Sequence, residues 1–386
     1  MTLEDILESE ELRQKEFPVV QREIFLAHAG VSPLPRRVAR KIQEAAERST
    51  LGDQEREEIW QEVEQTRVLA SNLLQAEPEE IALLGPTALG LNLVAHGLDW
   101  RPGEEIIYYP GDYPSNVYPW RTLAQRGAVL IPLQPKVPGQ IDPEMVFEAL
   151  SPRTRLVALS SCHFLSGYLL DYRSIGEELR RRGILFCLDG IQSLGAAELD
   201  SRFFDFLSAD SHKWLLGPLG AGIFFVKKER QDELFPLLVG AWNVQSPRFI
   251  AQSSLVFHPT ARRYECGALY ALGILGLKAS LELLLSVGIE KIRNRLLQLH
   301  DFLASRLEQL GWEILSAKFP ENRRSGIVSV SHPTHPLQPV FEQLKEQNVR
   351  VSLRWDSEAK PYLRFSPHFY NTEEELEKVL HILQHL

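Results

Sequence analysis

Between Ile81 and Val226 short apolar runs alternate with amphipathic stretches, and few folds tolerate that pattern. Ile81–Leu84, Glu105–Tyr109, Ala128–Leu133, Leu156–Ser160, Ile184–Leu188, Phe203–Ala209 and Gly222–Val226 read as strands. Thr87–His96, Pro114–Gln125, Asp142–Leu150 and Tyr172–Arg182 read as the helices between them. A run that is apolar on both faces must be covered on both faces, and a parallel pair needs a crossover long enough to hold a helix. The pattern therefore predicts an α/β fold: a mostly parallel, seven-stranded sheet sandwiched by helices. In such sheets ligand groups gather beyond the carboxyl ends of strands. That rule selects His163, Asp189 and Gln192, and it places Lys213 in the connection between the last two strands.

After Pro259 the character changes. Long helices are expected at Tyr264–Leu285 and Ile289–Leu310, strands near Trp312–Leu315, Gly326–Ser331, Val349–Leu353 and Tyr362–Phe365, and a closing helix over Glu373–Leu386. This reads as a smaller α+β unit, so the expected division is a large domain over 20–258 and a small one over 1–19 and 259–386. The first twenty residues read as one charged helix, followed by helices Arg36–Ser49 and Glu55–Leu74. A chain of 386 residues is long enough for two cores. Its net charge of −9 argues against nucleic-acid partners, which need clustered Lys and Arg. No apolar run has the length of a membrane span, and the acidic start does not read as a signal peptide. Cys162, Cys187 and Cys266 are far apart. They fit neither a disulfide framework nor a metal site, and they suit a reducing cytoplasm.

Two stretches carry candidate chemistry. In Ser208–Gly222, Lys213 follows a hydroxyl and an imidazole and precedes a Gly-Pro-Leu-Gly-Ala-Gly turn. A lysine amine becomes a nucleophile when burial or cationic neighbours lower its pKa and a rigid loop aims it. On this segment alone, an ordinary lysine ahead of a strand is the favoured reading. Asp189, at a strand end, could meet a buried cation or could cap a following helix. Gly85-Pro86-Thr87 opens a helix after a strand, which leaves backbone N–H groups free for an anion. It is not a nucleotide-binding Walker loop, since no Gly-Lys-Ser/Thr follows.

Together, Leu188-Asp-Gly-Ile-Gln-Ser-Leu-Gly-Ala196, Ser211-His-Lys-Trp-Leu-Leu-Gly-Pro-Leu-Gly220 and Leu363-Arg-Phe-Ser-Pro-His-Phe-Tyr-Asn-Thr-Glu373 resemble the class V aminotransferase family. These are fold-type I pyridoxal-phosphate enzymes, among them cysteine desulfurases, selenocysteine and other C–S lyases, isopenicillin N epimerase-like proteins and transaminases. The resemblance runs from about Phe25 to the end. It implies that Lys213 forms a Schiff base with pyridoxal 5'-phosphate, that Asp189 holds the pyridine nitrogen protonated, and that Gln192 bonds the phenolic oxygen. It further implies that His163 stacks on the ring and shares the catalytic work with Lys213 and Asp189. Thr87, the Ala88 backbone, Ser211 and His212 are implied for the phosphate. Arg364 is implied for the substrate α-carboxylate, with His28, Ala29 and Gly30 lining the substrate side. Arg354 stands open between site and scaffold, and Trp242 reads more readily as packing. The family's sites also imply a homodimer.

Departures from the family pattern narrow the expectation. Desulfurases carry a loop cysteine shortly before the carboxylate-binding arginine, whereas Val351–Leu363 has none and is short. Ala268 stands where relatives often have a threonine that reaches the partner subunit's phosphate. The resulting expectation is a cytoplasmic enzyme that acts on a small α-amino acid by Cα-proton abstraction. C–S β-elimination comes first, with transamination as the alternative and epimerisation behind it. A non-catalytic relative of this fold is a further alternative, but it predicts loss of Lys213, Asp189 or Arg364, and all three are present.

Overall fold

In the computed structural model, which describes residues 1–385, the large sheet has seven strands. The chain first forms a two-residue strand β1 (Ile24–Phe25), then β2 (Ile81–Leu84), β3 (Glu105–Tyr108), β4 (Val129–Pro132), β5 (Thr154–Ser160), β6 (Leu185–Asp189), β7 (Phe206–Asp210) and β8 (Gly222–Val226). Their order across the sheet is β2-β8-β7-β6-β5-β3-β4. Only β8 runs antiparallel to its neighbours, β2 and β7. The register sets Ser160 beside Asp189 and Asp189 beside Ser208, so the ends of β5, β6 and β7 lie side by side. Strands β3, β6, β7 and β8 are buried along their whole length, as two covered faces require. Helix Thr87–Gly97 lies close against the sheet because Gly90 has no side chain; a Cβ there would come within 2.4 Å of Ser208 Oγ.

A second sheet holds β9 (Glu313–Ile314), β10 (Val328–Ser331), β12 (Ser352–Trp355) and β13 (Pro361–Phe365) in the antiparallel order β12-β13-β10-β9. Strand β11 (Val349–Arg350) leaves this edge to pair in parallel with β1, and Ala27 bridges to Ser366. The segment leading to His28 is thereby tied to the C-terminal unit. The apolar clusters divide elsewhere than at residue 258. Ile274 to Leu296 pack with the large sheet, whereas Leu26 joins Leu299, Leu303, Phe365 and Leu380 in a separate core. Helix Ala271–Val287 is buried on nearly every side, which is why its sequence shows little amphipathic contrast.

Local boundaries moved where a polar side chain or a proline won over periodicity. The expected first helix is two, Leu3–Glu8 and Glu10–Glu16, because the Ser9 hydroxyl accepts from Leu12 N–H and starts the second. The expected Pro114–Gln125 helix is three short turns, two of them opened by Pro114 and Pro119, which lack the N–H a continuous helix needs. The helix expected from Tyr264 begins at Ala271. Before it, Glu265 is held inward, accepting from Arg67 Nη1 at 2.6 Å and from Leu83 N–H at 2.8 Å. Leu386, the last residue of the expected closing helix, lies outside the described residues; the helix is described over Glu373–Gln384. No single helix among the described residues is long and apolar enough to cross a membrane.

Candidate active site

A cleft opens beyond the carboxyl ends of β6 and β7, walled on the far side by β12 and β13. Lys213 sits on its floor, almost fully buried. Its backbone is fixed from two sides: the carbonyl accepts from Leu216 N–H at 2.9 Å and from Ser32 Oγ at 2.7 Å. To close that turn Leu216 holds a left-handed φ of 56°, a strained conformation for a branched-chain residue that the packed surroundings enforce. The side chain is thus aimed rather than free. Burial, and next the Arg364 guanidinium, bring the Lys213 amine down to about 8. An amine shifted that far is partly unprotonated near neutrality, as a nucleophile must be.

Asp189, the last residue of β6, faces the same cleft. One carboxylate oxygen accepts from Ile191 N–H at 3.0 Å, closing a turn; no helix follows, so the capping alternative does not apply. Burial, and next the Asp112 carboxylate, push the Asp189 carboxyl up to about 7. A cationic or N–H partner is what this group lacks. Gln192 stands nearby with its amide oriented by chemistry: indole N–H can only donate, so Trp214 Nε1 at 2.8 Å identifies the Gln192 oxygen. Its Nε2 donates to Ala29 O at 3.0 Å and keeps one N–H for the cleft.

The N-terminus of helix Thr87–Gly97 meets the cleft without a side-chain cap, and Thr87 and Ala88 line the wall. Thr87 Oγ1 accepts from Asp210 N–H at 2.9 Å, which leaves its own proton to donate. Asp210 turns away into the loop, where it pairs with His212 Nδ1 at 2.9 Å and accepts from Gly220 N–H. His212 presents the rest of its ring to the cleft. Ser211 does not reach it: its hydroxyl donates to Pro218 O at 2.7 Å beneath the turn. Trp242 is also away from the cleft, stacked on Trp60.

On the opposite wall Arg364 is 1% exposed. It donates to Phe164 O at 2.6 Å, and its Nε has no partner. Burial and then the nearby Arg354 lower the Arg364 pKa. Ala29 and Gly30 line this side, but the His28 side chain does not. The His28 ring is fully buried between Ser366 O at 2.9 Å and Tyr370 Oη at 2.7 Å, and burial followed by His368 lowers its pKa, keeping it neutral.

The ring contact expected of His163 falls elsewhere. Ser166 N–H donates to His163 Nδ1 at 3.2 Å, so the ring proton lies on Nε2, directed at Gly111 O at 3.3 Å. The backbone of Gly139 closes over this imidazole, and a Cβ there would come within 2.1 Å of the ring. Facing Lys213 instead is Tyr113, whose ring centroid lies 5.3 Å from Nζ. Asp112 anchors that loop: its carboxylate accepts from Tyr113 N–H, Asn116 Nδ2 and Ser160 Oγ, the last at 2.6 Å. Sequence reading missed both residues, although the strand-end rule, applied after β3, points to them.

A buried lysine aimed by a strained turn, a strand-end carboxylate, an uncapped helix end and a buried arginine thus share one cleft. The model for "Aminotransferase class-V" matches residues 24–379, and the chain belongs to that family. It is 25% identical to a probable cysteine desulfurase of Methanothermobacter thermautotrophicus, over 96% of both chains. The fold is similar to the apo structure of a cysteine desulfurase from Thermococcus onnurineus NA1, with a TM-score of 0.90 at 23% identity and 97% of each chain covered. The cystine C–S lyase C-DES, solved with its product cysteine persulfide, gives 0.86 at 24% identity, covering 95% of this chain and 99% of its own. Membership makes the protein a pyridoxal-phosphate-dependent enzyme.

Proposed function

We propose that this enzyme binds pyridoxal 5'-phosphate at Lys213 and acts on an α-amino acid by removing its Cα proton, releasing a sulfur leaving group from Cβ. The observation that carries the reading is that Lys213 and Arg364 reach one cleft from opposite walls. The residues present fit the cofactor: Asp189 accepts a single hydrogen bond and has capacity left for a pyridinium N–H. The N–H groups at Thr87 and Ala88, with His212, suit a phosphate. Bound there, the cofactor supplies an electron sink that makes the Cα–H acidic. Arg364 grips the α-carboxylate through its fork and so fixes which Cα bond faces Lys213. The Lys213 amine takes the Cα proton and holds it beside the departing group. Tyr113 covers the lysine and keeps water from it.

Elimination without a protein persulfide is supported by the cysteines. Cys162 is fully buried with its thiol pushed up to about 12, burial raises the Cys187 thiol in the same direction, and neither lines the cleft, nor does Cys266. A homodimer is supported by exposed apolar residues between Phe235 and Val256, including Phe249 and Ile250, which are 70% and 60% exposed. Three unpaired cysteines support a reducing, cytoplasmic setting.

The test is direct. Protein purified with the cofactor should be yellow, borohydride should fix the label on Lys213, and K213A should lose both. A colourless protein that cannot be reconstituted refutes the proposal. An amino-acid panel then reads the outcome: keto acid with released thiol or sulfide supports elimination. Turnover that requires an added keto acid identifies a transaminase, and Cα deuterium exchange with inversion an epimerase.

A further inference from the structure

Behind Lys213 a ring of buried hydrogen bonds joins the floor of the cleft to the segment that follows β13. The direction of each link follows from the chemistry of its groups. Phe369 N–H donates to His368 Nδ1 at 2.9 Å, so the His368 proton lies on Nε2 and is donated to Trp214 O at 3.0 Å. The Trp214 indole N–H donates to Gln192 Oε1, and Gln192 Nε2 donates to Ala29 O. Ala29 N–H in turn donates to Ser366 Oγ at 3.0 Å. A carbonyl can only accept, so His28 carries its proton on Nδ1, toward Ser366 O, and its Nε2 accepts from Tyr370 Oη. Tyr370 follows His368 and Phe369 in the chain, which closes the ring.

Within this ring His368 is the side chain that holds the backbone next to Lys213. Its imidazole is fully buried, and burial brings its pKa down to about 4, so it stays neutral and donates a single proton. Among the described residues Trp214 O has no other donor. On its other side Gly195, at φ 92°, comes so near that a Cβ there would lie 2.6 Å from that oxygen. The carbonyl is held between a glycine that leaves it no room and an imidazole that bonds it. A buried carbonyl that loses its donor is costly, and the turn shifts to satisfy it. Any such shift moves the Trp214 indole, which orients Gln192, and the Lys213 backbone one residue before it. Neither His368 nor Trp214 lines the cleft, so both act on its contents through these neighbours. We infer that His368 is a positioning residue for the cofactor: through Trp214 it aims both Lys213 and the free Gln192 N–H into the cleft. This inference rests on the proposed cofactor site and specifies what holds its floor in place.

The experiment compares H368F, which keeps a flat ring but has no donor, with H368Q, whose side-chain N–H reaches toward the place of Nε2. Each holoenzyme is titrated with pH while its visible band is followed, and each cofactor-free protein is titrated with pyridoxal 5'-phosphate. A Gln192 N–H given to the cofactor's phenolic oxygen stabilises that oxygen without a proton, so misaiming it should raise the midpoint of the visible band. H368F should raise the midpoint by about half a pH unit or more and weaken cofactor binding by about tenfold. H368Q should stay nearer wild type in both. W214F, which breaks the next link to Gln192, should raise the midpoint in the same direction, and it decides the question where H368F does not fold. An unchanged midpoint in folded H368F, or in W214F where H368F fails, means that His368 only fills space and overturns the inference. H368Q as impaired as H368F overturns it too, since the donated proton is then not what matters. Both results leave the cofactor reading intact, whereas wild-type protein without a visible band overturns both.

Discussion

Replacing Asp189 with Asn should make the cofactor-free protein more stable while impairing its hold on the cofactor. The reasoning starts from a carboxyl that is 3% exposed, accepts one hydrogen bond and is raised from 3.8 to about 7, first by burial and then by Asp112. The folded state binds this proton more tightly than the unfolded chain does. Stability is therefore fully present below about pH 3.8 and is lost as pH rises through about 7. With each pH unit worth about 1.4 kcal/mol, the cost grows from about 2 kcal/mol at pH 5 to about 4 kcal/mol at pH 8. Asparagine keeps the shape and the Ile191 hydrogen bond but cannot ionise. Chemical denaturation of cofactor-free wild-type and D189N protein, followed by tryptophan fluorescence at pH 5, 6 and 8, should show a difference that widens with pH in favour of D189N. Cofactor affinity, measured by the visible band, should fall at least tenfold in the same variant. A D189N midpoint at or below wild type at pH 8 would refute the claim that this carboxylate is held at a cost the cofactor offsets.

Tyr113 should matter through its ring and not its hydroxyl. Y113A should weaken cofactor binding by about tenfold, the order expected for losing an aromatic contact of about 1 kcal/mol with its packing, whereas Y113F should stay within about threefold, by visible-band titration. The buried Arg67–Glu265 pair ties helix Glu57–Leu74 to β2 and the chain before helix Ala271–Val287. Arg67→Ala leaves the buried Glu265 carboxylate with the Leu83 N–H and only Arg262 Nε, at 3.9 Å, as a cation, and should cost about 3 kcal/mol in denaturant midpoint measurements at pH 7. Of the three thiols, only Cys266 is not fully buried. An exposed-thiol reagent should therefore titrate at most one cysteine in the native protein and three after unfolding. Early reaction of Cys162 or Cys187 would contradict their placement.

Strand positions were legible because burial on two faces removes polar residues from the sequence itself. Each of the seven strands fell within about three residues of its expected place, Phe203–Ala209 against Phe206–Asp210 being the widest miss. Domain cores were less legible. Composition marks where helices lengthen, near residue 259, but it does not mark which sheet a helix packs on. Helix Ala271–Val287 has only a narrow polar stripe, Lys278, Glu282 and Ser286, so its sequence does not say which sheet its broad apolar surface packs on. The parallel pairing of β1 with β11 joins residues 325 positions apart through a two-residue strand, too short to carry a pattern.

In the site, residues fixed by backbone position were readable, and those fixed by side-chain direction were not. Asp189 and Lys213 lie at the end of one strand and in the loop after another, where the sheet alone brings them to the cleft. His163 lies three residues past β5, in a turn closed by His163 N–H to Tyr168 O and by Gly167 N–H to His163 O. Within that turn neighbouring side chains point apart: the imidazole goes under Gly139, and Phe164 goes to the cleft. One residue of parity decides which ring lines the cleft, and sequence does not encode parity inside an irregular loop. The same parity on a regular strand is readable. Ser352, Arg354 and Arg364 all lie on strands β12 and β13, where Arg364 pairs opposite Ser352 and Arg354 opposite Tyr362. Positions 352 and 354 therefore share a face, the one Arg364 occupies. Arg354 stands open between site and scaffold when the sequence is read alone, and the pairing register by itself brings it to the cleft beside Arg364.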